Sequence, residues 1–229
     1  MLPRGGTAVR GLFITFEGTE GTGKSTQLRL LADDLRAGGR RVMTSREPGG
    51  TSFGRNLRSM LLDPAGGTIV PLAELFLYLA DRAQHAREVI VPALERGEWV
   101  ICDRFADATV AYQGYGRGID TAFIRDASDR AACGLVPDVT LLLDLEDVAA
   151  GIARARRRQQ GDGTGGVEDR FEREALAFHR RVRDGYRALA AAEPDRFRLL
   201  PAGLPAESLH SLILDEIARL PRVRSAARS

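Results

Sequence analysis

The 229-residue sequence predicts an α/β protein built on a five-stranded parallel sheet that is flanked by helices. Short apolar runs of strand type alternate with longer segments of helical periodicity, and this alternation requires parallel strands joined by right-handed crossovers. One run, residues 99–102, is apolar at every position, as is typical of a strand buried on both faces. A glycine-rich motif, Gly18-x-x-x-x-Gly23-Lys24-Ser25, joins the first predicted strand to the first predicted helix.

Five runs are interpreted as strands because they are short, mostly apolar and bounded by turn residues. Glu17, Arg46, Asp103 and Asp144 each follow one of these runs. Since ligands bind at the carboxyl ends of the strands in such sheets, we expect these four side chains on the edge that carries the glycine-rich motif. The predicted strands are residues 12–16, 41–45, 99–102, 139–143 and 197–200.

Segments with apolar residues at helical spacing fill the intervals between the strands. The first helix follows the glycine-rich motif and ends at Gly38 and Gly39, a typical helix C-terminus. The length suits one domain, with a core at about 11–220 and loose termini at 1–10 and 221–229. Further helices are predicted at residues 52–62, 71–96, 106–112, 120–132, 148–158, 170–192 and 206–220, with a glycine-rich turn through Gly118.

The composition excludes several classes of protein. With 44% hydrophobic and 28% charged residues the chain is of the soluble, folded type. A formal charge of +2 is too small to indicate a general nucleic-acid or membrane surface, and no apolar run reaches membrane-spanning length. Cys102 and Cys133 lack the spacing of metal ligands and are interpreted as free thiols of a reducing compartment. A cytoplasmic protein is therefore expected.

The glycine-rich motif has the context of a phosphate-binding P-loop, with a strand before it and a helix after it. Its glycines allow consecutive backbone N–H groups to point at a polyphosphate, and the helix N-terminus adds partial positive charge. Lys24 would bridge the β- and γ-phosphates, and the hydroxyl of Ser25 would hold Mg²⁺. Lys24 is also the only lysine of the chain, and a compact ammonium suits a phosphate cradle. The predicted ligand is a nucleoside triphosphate.

A P-loop is shared by switches, motors and small-molecule kinases, so other residues must separate them. A GTPase switch is disfavoured, because the chain has one asparagine, Asn56, and no second lysine for an Asn-Lys-x-Asp element. A kinase needs arginines that offset the repulsion between two anionic substrates, and a lid that excludes water. Residues 154–158, with four arginines, and the glycine-rich residues 159–166 have these properties. The alternative is a solvated basic surface that contacts nucleic acid.

Together these motifs resemble those of the thymidylate kinase family, in its bacterial-like form with lid arginines. The resemblance spans residues 13 to about 220. It implies a P-loop nucleoside monophosphate kinase fold with a short lid at about 154–170, and Mg²⁺-dependent transfer of the ATP γ-phosphoryl group to dTMP. The matching motifs are Phe-Glu-Gly at 16–18, Gly-Lys-Ser-Thr at 23–26, Arg-Glu-Pro-Gly-Gly at 46–50, Tyr-Leu-Ala-Asp-Arg at 78–82, Asp-Arg at 103–104, Ala-Tyr-Gln-Gly at 111–114 and Glu-Asp-Arg at 168–170.

On the donor side, the resemblance implies that ATP is bound by the whole P-loop and that Mg²⁺ is held by Ser25 and an aspartate. Asp103 and Asp144 both end an apolar run, and the resemblance favours Asp103. Because the variable loop residues include no arginine, the resemblance places the transition-state arginine in the lid, at Arg158 with Arg156 next. The ATP-binding set is Gly18, Thr19, Glu20, Gly21, Thr22, Gly23, Lys24, Ser25 and Thr26, and the catalytic set is Lys24, Arg104, Arg156 and Arg158.

On the acceptor side, the resemblance implies a site for the thymine base. Tyr78 takes the place of an aromatic residue that stacks on thymine, and Arg82, one helical turn later, would donate to a thymine carbonyl. Thr109 and Gln113 match positions that read the base edge. Tyr112 matches a residue that favours deoxyribose over ribose.

Four further residues would bind the sugar and the acceptor phosphate. Arg58 and Arg104 match anion-binding positions, and Glu47 lies at the same strand edge. Glu20 matches the carboxylate that accepts a hydrogen bond from the sugar 3′-hydroxyl. No general base is needed, because a phosphate dianion is already a nucleophile.

Two other functions stay open. A P-loop kinase for another nucleoside monophosphate would share Lys24 and the lid arginines but not the set Tyr78, Arg82 and Gln113. A nucleic-acid-binding ATPase would show a steep salt dependence of nucleic-acid affinity. The resemblance implies a homodimer with no nucleic-acid or membrane partner. The predicted helices that begin at residues 71 and 120 would form its interface, although their apolar faces could equally belong to the monomer core.

Overall fold

The computed structural model describes residues 10–63, 67–161, 171 and 174–221, with the backbone alone for 158–161. Its centre is a sheet of five parallel strands in the order β2-β3-β1-β4-β5. The predicted α/β class with a five-stranded parallel sheet is therefore confirmed. The strands are β1 Phe13–Glu17, β2 Val42–Arg46, β3 Trp99–Asp103, β4 Val139–Asp144 and β5 Phe197–Pro201.

Every strand continues one residue beyond its predicted C-terminal end. A sheet ladder is formed by backbone groups, so a charged side chain at the end of a strand does not stop the pairing. Glu17 lies opposite Leu142, and Arg46 lies opposite Asp103. The charged residues that were expected just beyond the strands are therefore held by the rim of the sheet itself.

Helices fill the intervals between the strands and cover both faces of the sheet, as apolar parallel strands require. The helices are α1 Lys24–Ala37, α2 Ser52–Leu62, α3 Pro71–His85, α4 Val91–Glu95, α5 Ala106–Thr109, α6 Thr121–Ala131, α7 Val148–Gly161, α8 Leu176–Ala192 and α9 Ala206–Arg219.

The two faces of β1 belong to different parts of the core. Ile14 lies in a cluster with Leu31 of α1 and Ile213 of α9. Its neighbour Phe13 points to the other face and lies in a cluster with Leu94 of α4. All five residues of β1 are buried, as expected for the central strand of the sheet.

The predicted helix 71–96 is continuous, but it contains a π-helical segment, Ala86–Ile90, between α3 and α4. The cause is Pro92, which lies in the first turn of α4. A proline inside an α-helix lacks the N–H for the carbonyl four residues back, and its ring clashes with that carbonyl. A wider turn ahead of the proline accommodates the ring without breaking the helix.

The prediction that a helix 106–112 ends in a glycine-rich turn is wrong, because helical structure continues as the π-helix Val110–Gly116. Gly114 and Gly116 belong to this π-helix, and both are buried. A Cβ atom at Gly116 would lie 2.6 Å from the ring of Phe178, and one at Gly114 would lie 2.9 Å from Thr121. The two glycines therefore allow α6 and α8 to pack closely against the π-helix.

α8 begins at Leu176, six residues after the predicted start at 170. Ala175 has an extended backbone, and Arg117 donates a hydrogen bond to the Glu174 carboxylate at 2.6 Å. Glu174 therefore contacts Arg117, at the C-terminal end of the π-helix Val110–Gly116, before α8 starts. Residues 162–170, which include most of the predicted lid and its Glu-Asp-Arg motif, lie outside the described residues. The same holds for residues 1–9 and 222–229, which make up nearly all of the predicted loose termini 1–10 and 221–229.

The strand order brings three chain segments together at one edge. β1 lies between β3 and β4, so the loops that follow these strands are neighbours. The amide of Arg104 donates to the carbonyl of Phe16 at 3.0 Å, and a Cβ atom at Gly18 would lie 2.4 Å from the carbonyl oxygen of Leu143. None of the helices in the described ranges combines the length and apolar character needed to cross a bilayer.

Candidate active site

The P-loop connects β1 to α1, and its last glycine determines how α1 begins. Gly23 is the N-cap residue of α1 and has a φ of 88°, a left-handed conformation that glycine adopts without steric cost. Lys24 and Ser25 follow in the first turn of α1. This arrangement presents the helix N-terminus, with its unpaired N–H groups, to the inside of the loop.

The side chain of Lys24 folds over this loop. Its Nζ atom donates to the carbonyl oxygens of Gly18 at 3.1 Å and Thr19 at 2.7 Å, and to the hydroxyl of Thr22 at 3.4 Å. Burial lowers the pKa of Lys24 to about 8, and the charge of Arg104 acts in the same direction. An incoming phosphate oxygen would replace neutral acceptors with a charged one, so the ammonium is placed to bind an anion.

Ser25 and Asp103 line the same cavity, together with residues of β2 and of the loop that follows it. The Ser25 hydroxyl donates to Oδ2 of Asp103 at 3.2 Å, while Oδ1 of Asp103 is buried without a partner among the described residues. Hydroxyl and carboxylate oxygens are the ligands that Mg²⁺ prefers, and the ion commonly takes its remaining ligands from phosphates and water. No group of three or more metal-binding side chains occurs in the described part of the chain. The hydroxyl of Ser25 and the unpartnered oxygen of Asp103 are groups that fit a Mg²⁺ ion.

Asp144, the rival candidate for Mg²⁺, is occupied by arginines. Arg183 of α8 donates to both carboxylate oxygens at 2.6 and 2.8 Å, and Arg187 donates to Oδ2 at 2.8 Å. This pairing ties the end of β4 to α8. The geometry thus favours Asp103 over Asp144 as a metal ligand.

Beside the P-loop lies a second cavity, which is partly open to solvent. Its lining contains every residue that was predicted to bind the acceptor, together with five further residues. The predicted residues are Glu20, Glu47, Arg58, Tyr78, Arg82, Arg104, Thr109, Tyr112 and Gln113, and the additional ones are Pro48, Leu62, Phe105, Ala108 and Phe171.

Glu20 links this cavity to the P-loop. Its carboxylate accepts hydrogen bonds from the Tyr112 hydroxyl at 2.5 Å, from Arg104 at 3.2 Å and from Nδ1 of His179 at 3.2 Å. Burial raises the pKa of Glu20, but the bond from His179 and the charges of Arg104 and Lys24 outweigh it and lower that pKa to about 2. Glu20 is therefore a carboxylate held in one orientation.

Arg104 lies between the acceptor cavity and the P-loop. It has a φ of 70°, which is rare for a residue with a side chain and which turns the chain at the end of β3. Its guanidinium donates to the carbonyl of Gly18 at 2.9 Å and to the hydroxyl of Tyr186 at 3.0 Å, and it lies 4.8 Å from the ring centre of Tyr112. One cation thus contacts both the P-loop and the acceptor pocket.

A buried glutamate lies beneath Arg104. Glu17 accepts hydrogen bonds from the amide of Phe105 at 2.8 Å and from the hydroxyl of Tyr186 at 2.7 Å. Burial and the charge of Asp107 raise the pKa of Glu17 to about 8, more than Arg104 lowers it. Glu17 was expected only as a residue of the sheet edge, and the support that Tyr186 and His179 give to the site was not predicted. The glutamates that they contact, Glu20 and Glu17, lie 159 and 169 residues away along the chain, so no local pattern pointed to these contacts.

Arg82 is almost fully buried, with 1% of its surface exposed. It donates to Glu47 at 3.0 Å, to Ser128 at 3.2 Å, to the carbonyl of Phe105 at 3.0 Å and to Thr109 at 2.8 Å. Four of its five N–H groups therefore bind described residues of the protein. Arg82 therefore lines the pocket as a rigidly held side chain, and the described residues leave one of its N–H groups available to a ligand.

Aromatic rings form one wall of the pocket. Tyr78 of α3 lies 6.4 Å from Phe171, and Tyr112 of the π-helix Val110–Gly116 lies 5.5 Å from Phe171, measured between ring centres. These rings offer flat surfaces against which a base can stack. Arg58 lies at another wall, where Nη1 donates to the carbonyl of Pro48 at 3.0 Å.

The predicted lid arginines lie on α7, a helix that contacts the P-loop. α7 approaches so closely that a Cβ atom at Gly151 would lie 2.7 Å from the carbonyl oxygen of Glu20. Arg156 is exposed on α7, and the backbone of Arg158 is helical. The side chain of Arg158 and residues 162–170 lie outside the described residues.

Comparison with known proteins agrees with this geometry. A family model described as thymidylate kinase matches residues 16–213. The chain is 54% identical to a thymidylate kinase of Desulfovibrio desulfuricans over 198 residues, covering 86% of this chain and 91% of the relative. It is 52% identical to the thymidylate kinase of Solidesulfovibrio magneticus over 209 residues, covering 91% of this chain and 100% of the relative.

A solved structure gives the same result. The crystal structure of thymidylate kinase from Ehrlichia chaffeensis matches with a TM-score of 0.71 at 32% identity, covering 91% of this chain and 99% of that chain. The P-loop nucleoside monophosphate kinase fold expected from the sequence is therefore confirmed. The chain belongs to the thymidylate kinase family.

Proposed function

We propose that this chain transfers the γ-phosphoryl group of ATP to dTMP, giving dTDP and ADP, with the P-loop as donor site and the neighbouring cavity as acceptor site. Membership of the thymidylate kinase family defines the reaction. The observation that carries the residue assignment is the acceptor cavity, because nine side chains from distant parts of the sequence line it beside the P-loop.

On the donor side, the P-loop N–H groups and Lys24 would bind the β- and γ-phosphates. Ser25 and the buried oxygen of Asp103 would hold Mg²⁺, which when bound neutralises charge on the phosphoryl oxygens. Lys24 would exchange its present acceptors in the loop for phosphate oxygens. Because the P-loop has no arginine among Thr19, Glu20, Gly21 and Thr22, a lid arginine would complete the charge neutralisation.

On the acceptor side, Tyr78 would stack on thymine while Gln113, Thr109 and the remaining N–H group of Arg82 bind the base edge. Tyr112 and Glu20 are joined by a hydrogen bond and would contact the sugar, with Glu20 accepting from the 3′-hydroxyl. Arg58 and Arg104 would bind the acceptor phosphate, and Glu47 would hold Arg82. Catalysis then consists of positioning two anions in line and offsetting their charge.

The assignment is tested by ATP turnover with a panel of acceptors: dTMP, dUMP, ribo-TMP, AMP, GMP and CMP. We expect the highest kcat/KM for dTMP and a lower value for ribo-TMP. Preference for a purine monophosphate would favour the alternative of another nucleoside monophosphate kinase. Turnover that depends on DNA or RNA instead of a mononucleotide would favour the nucleic-acid-binding ATPase.

The catalytic lid arginine is tested by comparing Arg158→Ala with Arg156→Ala. We expect Arg158→Ala to lower kcat by about 100-fold or more with a small change in KM, because the charge it supplies matters most in the transition state. Arg156→Ala should have the smaller effect. The reverse order would show that the helical register of the lid differs from the proposed one.

We further propose that the chain forms a homodimer through α2, α3 and α6. Large apolar side chains are exposed on these helices, which is unusual for a monomer surface when they are adjacent. α3 contributes Leu72 and Phe76, and α2 contributes Phe53 and Met60. The expected cytoplasmic location agrees with the free thiols of the two cysteines and stays a prediction.

A further inference from the structure

Behind the acceptor cavity lies a buried carboxylate that the proposed reaction does not use. Glu74 of α3 has no exposed surface and does not line the cavity. Its Oε1 atom accepts hydrogen bonds from Nε2 of Gln113 at 2.8 Å and from Nε of Arg117 at 3.2 Å. Its Oε2 atom accepts from Nη2 of Arg117 at 3.2 Å. Glu74 is therefore the direct neighbour of a residue that lines the cavity.

This contact determines which end of the Gln113 amide is available to a ligand. A glutamine amide has a donor end and an acceptor end of nearly the same size, and either can face a neighbour. With the guanidinium of Arg117 on both of its oxygens, Glu74 is an acceptor-only carboxylate. The amide nitrogen of Gln113 must therefore face Glu74, and the carbonyl oxygen is the group that is not committed to this contact.

Arg117 holds Glu74 in place from the far side. Its Nη1 atom donates to Glu174 at 2.6 Å, so the cation is shared by two carboxylates from separate elements. Its guanidinium also lies 4.6 Å from the ring centre of Phe178 and 5.5 Å from that of Phe171. Glu74 is thereby fixed to the π-helix Val110–Gly116 and to the segment that leads into α8, and it cannot rotate away from Gln113 without leaving a buried charge unpaired.

An acceptor at this position discriminates among pyrimidine bases. Thymine and uracil carry a hydrogen on N3, whereas N3 of cytosine is itself an acceptor. A fixed carbonyl oxygen would bind the first two and repel the third, and sites built to hydrogen-bond a donor reject analogues that lack it strongly. We propose that Glu74 is a specificity-determining positioning residue: by fixing the amide of Gln113, it makes the pocket select pyrimidine nucleotides with a hydrogen on N3 and reject cytidine nucleotides. This inference rests on the proposed function, because it concerns the base that Gln113 faces.

The test is the variant Glu74→Gln, assayed with dTMP, dUMP and dCMP at saturating ATP. A glutamine at position 74 can accept or donate, so the amide of Gln113 is free to turn over. We expect the ratio of kcat/KM for dTMP to that for dCMP to fall by about tenfold or more, mainly through KM, while the dTMP to dUMP ratio stays constant. These ratios do not depend on the fraction of folded enzyme.

Matched controls separate positioning from general damage. Glu174→Gln alters the other partner of Arg117 without touching Gln113, and it should leave the dTMP to dCMP ratio unchanged. In the background Gln113→Ala, the further change Glu74→Gln should have no effect on this ratio. If Glu74→Gln cannot be obtained folded, Glu74→Leu is used in its place. It removes the carboxylate without adding a polar group, and it should also lower the ratio of kcat/KM for dTMP to that for dCMP.

A uniform loss of activity on all three substrates in Glu74→Gln would overturn the inference, because it would mean that Glu74 only stabilises the fold. If the wild-type enzyme phosphorylates dTMP but the dTMP to dCMP ratio is unchanged in Glu74→Gln, the role of Glu74 is rejected. The proposed function is then unaffected. A wild-type enzyme that does not phosphorylate dTMP would reject the proposed function itself.

Discussion

At the residue scale, the surroundings of Lys24 explain why the cation of the P-loop is a lysine and not an arginine. The loop offers two carbonyls and a hydroxyl within 3.4 Å of Nζ, all inside a space where the side chain is 8% exposed. An ammonium has three donors around one point and fits this space, whereas a planar guanidinium would not converge on the same atoms. The chain has 33 lysine and arginine residues in total, and all 32 of the others are arginines.

Replacing Lys24 by alanine should lower kcat for phosphoryl transfer by about 100- to 1,000-fold, because the transition-state charge loses a preorganised donor. Steady-state kinetics with ATP and dTMP measures this loss. Arg29→Ala provides the control, since Arg29 lies on α1 with a largely exposed side chain that pairs with Asp33, and its removal should leave kcat unchanged. Equal losses in the two variants would contradict a specific role for Lys24.

Glu17 gives a prediction about stability and pH. The folded state retains its proton up to a pH of about 8, while the unfolded state releases it near 4.5. The stabilisation from the protonated form is therefore fully present below pH 4.5 and is lost as the pH rises through 8.

The unfolding free energy of the nucleotide-free protein should fall relative to that of Glu17→Gln as the pH rises from 5 to 8.5. The slope is at most about 1.4 kcal/mol per pH unit, since one proton is involved. A neutral glutamine cannot lose a proton, and it can still accept from Phe105. Urea denaturation of both proteins at several pH values measures the difference, and parallel curves across this range would show that Glu17 is ionised in the folded protein.

At the element scale, the contact between the P-loop and α7 joins the donor site to the helix that leads into the lid. Gly21 and Gly151 lie face to face, and a Cβ atom at Gly21 would lie 1.9 Å from the carbonyl oxygen of Gly151. No side chain separates the two backbones at this point. A displacement of α7 would therefore move the backbone of Glu20, a P-loop residue that also lines the acceptor cavity.

The variant Gly151→Ala should raise KM for both ATP and dTMP and lower kcat by about tenfold or more, because its Cβ atom would push against the Glu20 carbonyl. Alanine is otherwise favoured over glycine in a helix, so the secondary structure of α7 should persist. Ala149→Ser, at an exposed position of α7, serves as the control with kinetics close to wild type. Unaltered kinetics in Gly151→Ala would mean that the P-loop and α7 move independently.

At the scale of the whole molecule, the exposed apolar side chains of α2 and α3 predict an association. Phe76 is 52% exposed on α3, and an aspartate there would place a charge in the proposed interface. Phe76→Asp should therefore change a dimer into a monomer, as measured by sedimentation equilibrium.

The matched control is Val136→Asp, at an exposed apolar residue of the loop between α6 and β4. This variant should stay dimeric. Dissociation by both substitutions, or by Val136→Asp alone, would place the interface elsewhere, and a wild-type monomer would reject the homodimer.

Much of the architecture was predictable because it depends on local patterns. The strand of residues 99–102 is apolar throughout, and a strand, a spaced glycine motif and a helix follow one another within residues 12–37. The two π-helical segments were missed, since five and seven residues are too few for apolar spacing to distinguish a π-helix from an α-helix. The late start of α8 was missed for a different reason, because Glu174 is drawn towards Arg117 by an ion pair that joins residues 57 positions apart.

By itself, the sequence determined the class of fold and the P-loop motif, because both are marked by residue type and short-range spacing. The nine predicted acceptor residues were implied by the resemblance to the thymidylate kinase family, and the structure places them around one cavity. Only the tertiary structure decided what supports these residues. The order of the strands sets Arg104 above Glu17, and α8 brings His179 and Tyr186 to the P-loop. Likewise, α3 brings Glu74 to Gln113, which lies 39 residues further along the chain. Buried polar groups must find partners wherever the fold places them, and no local pattern encodes such a partner.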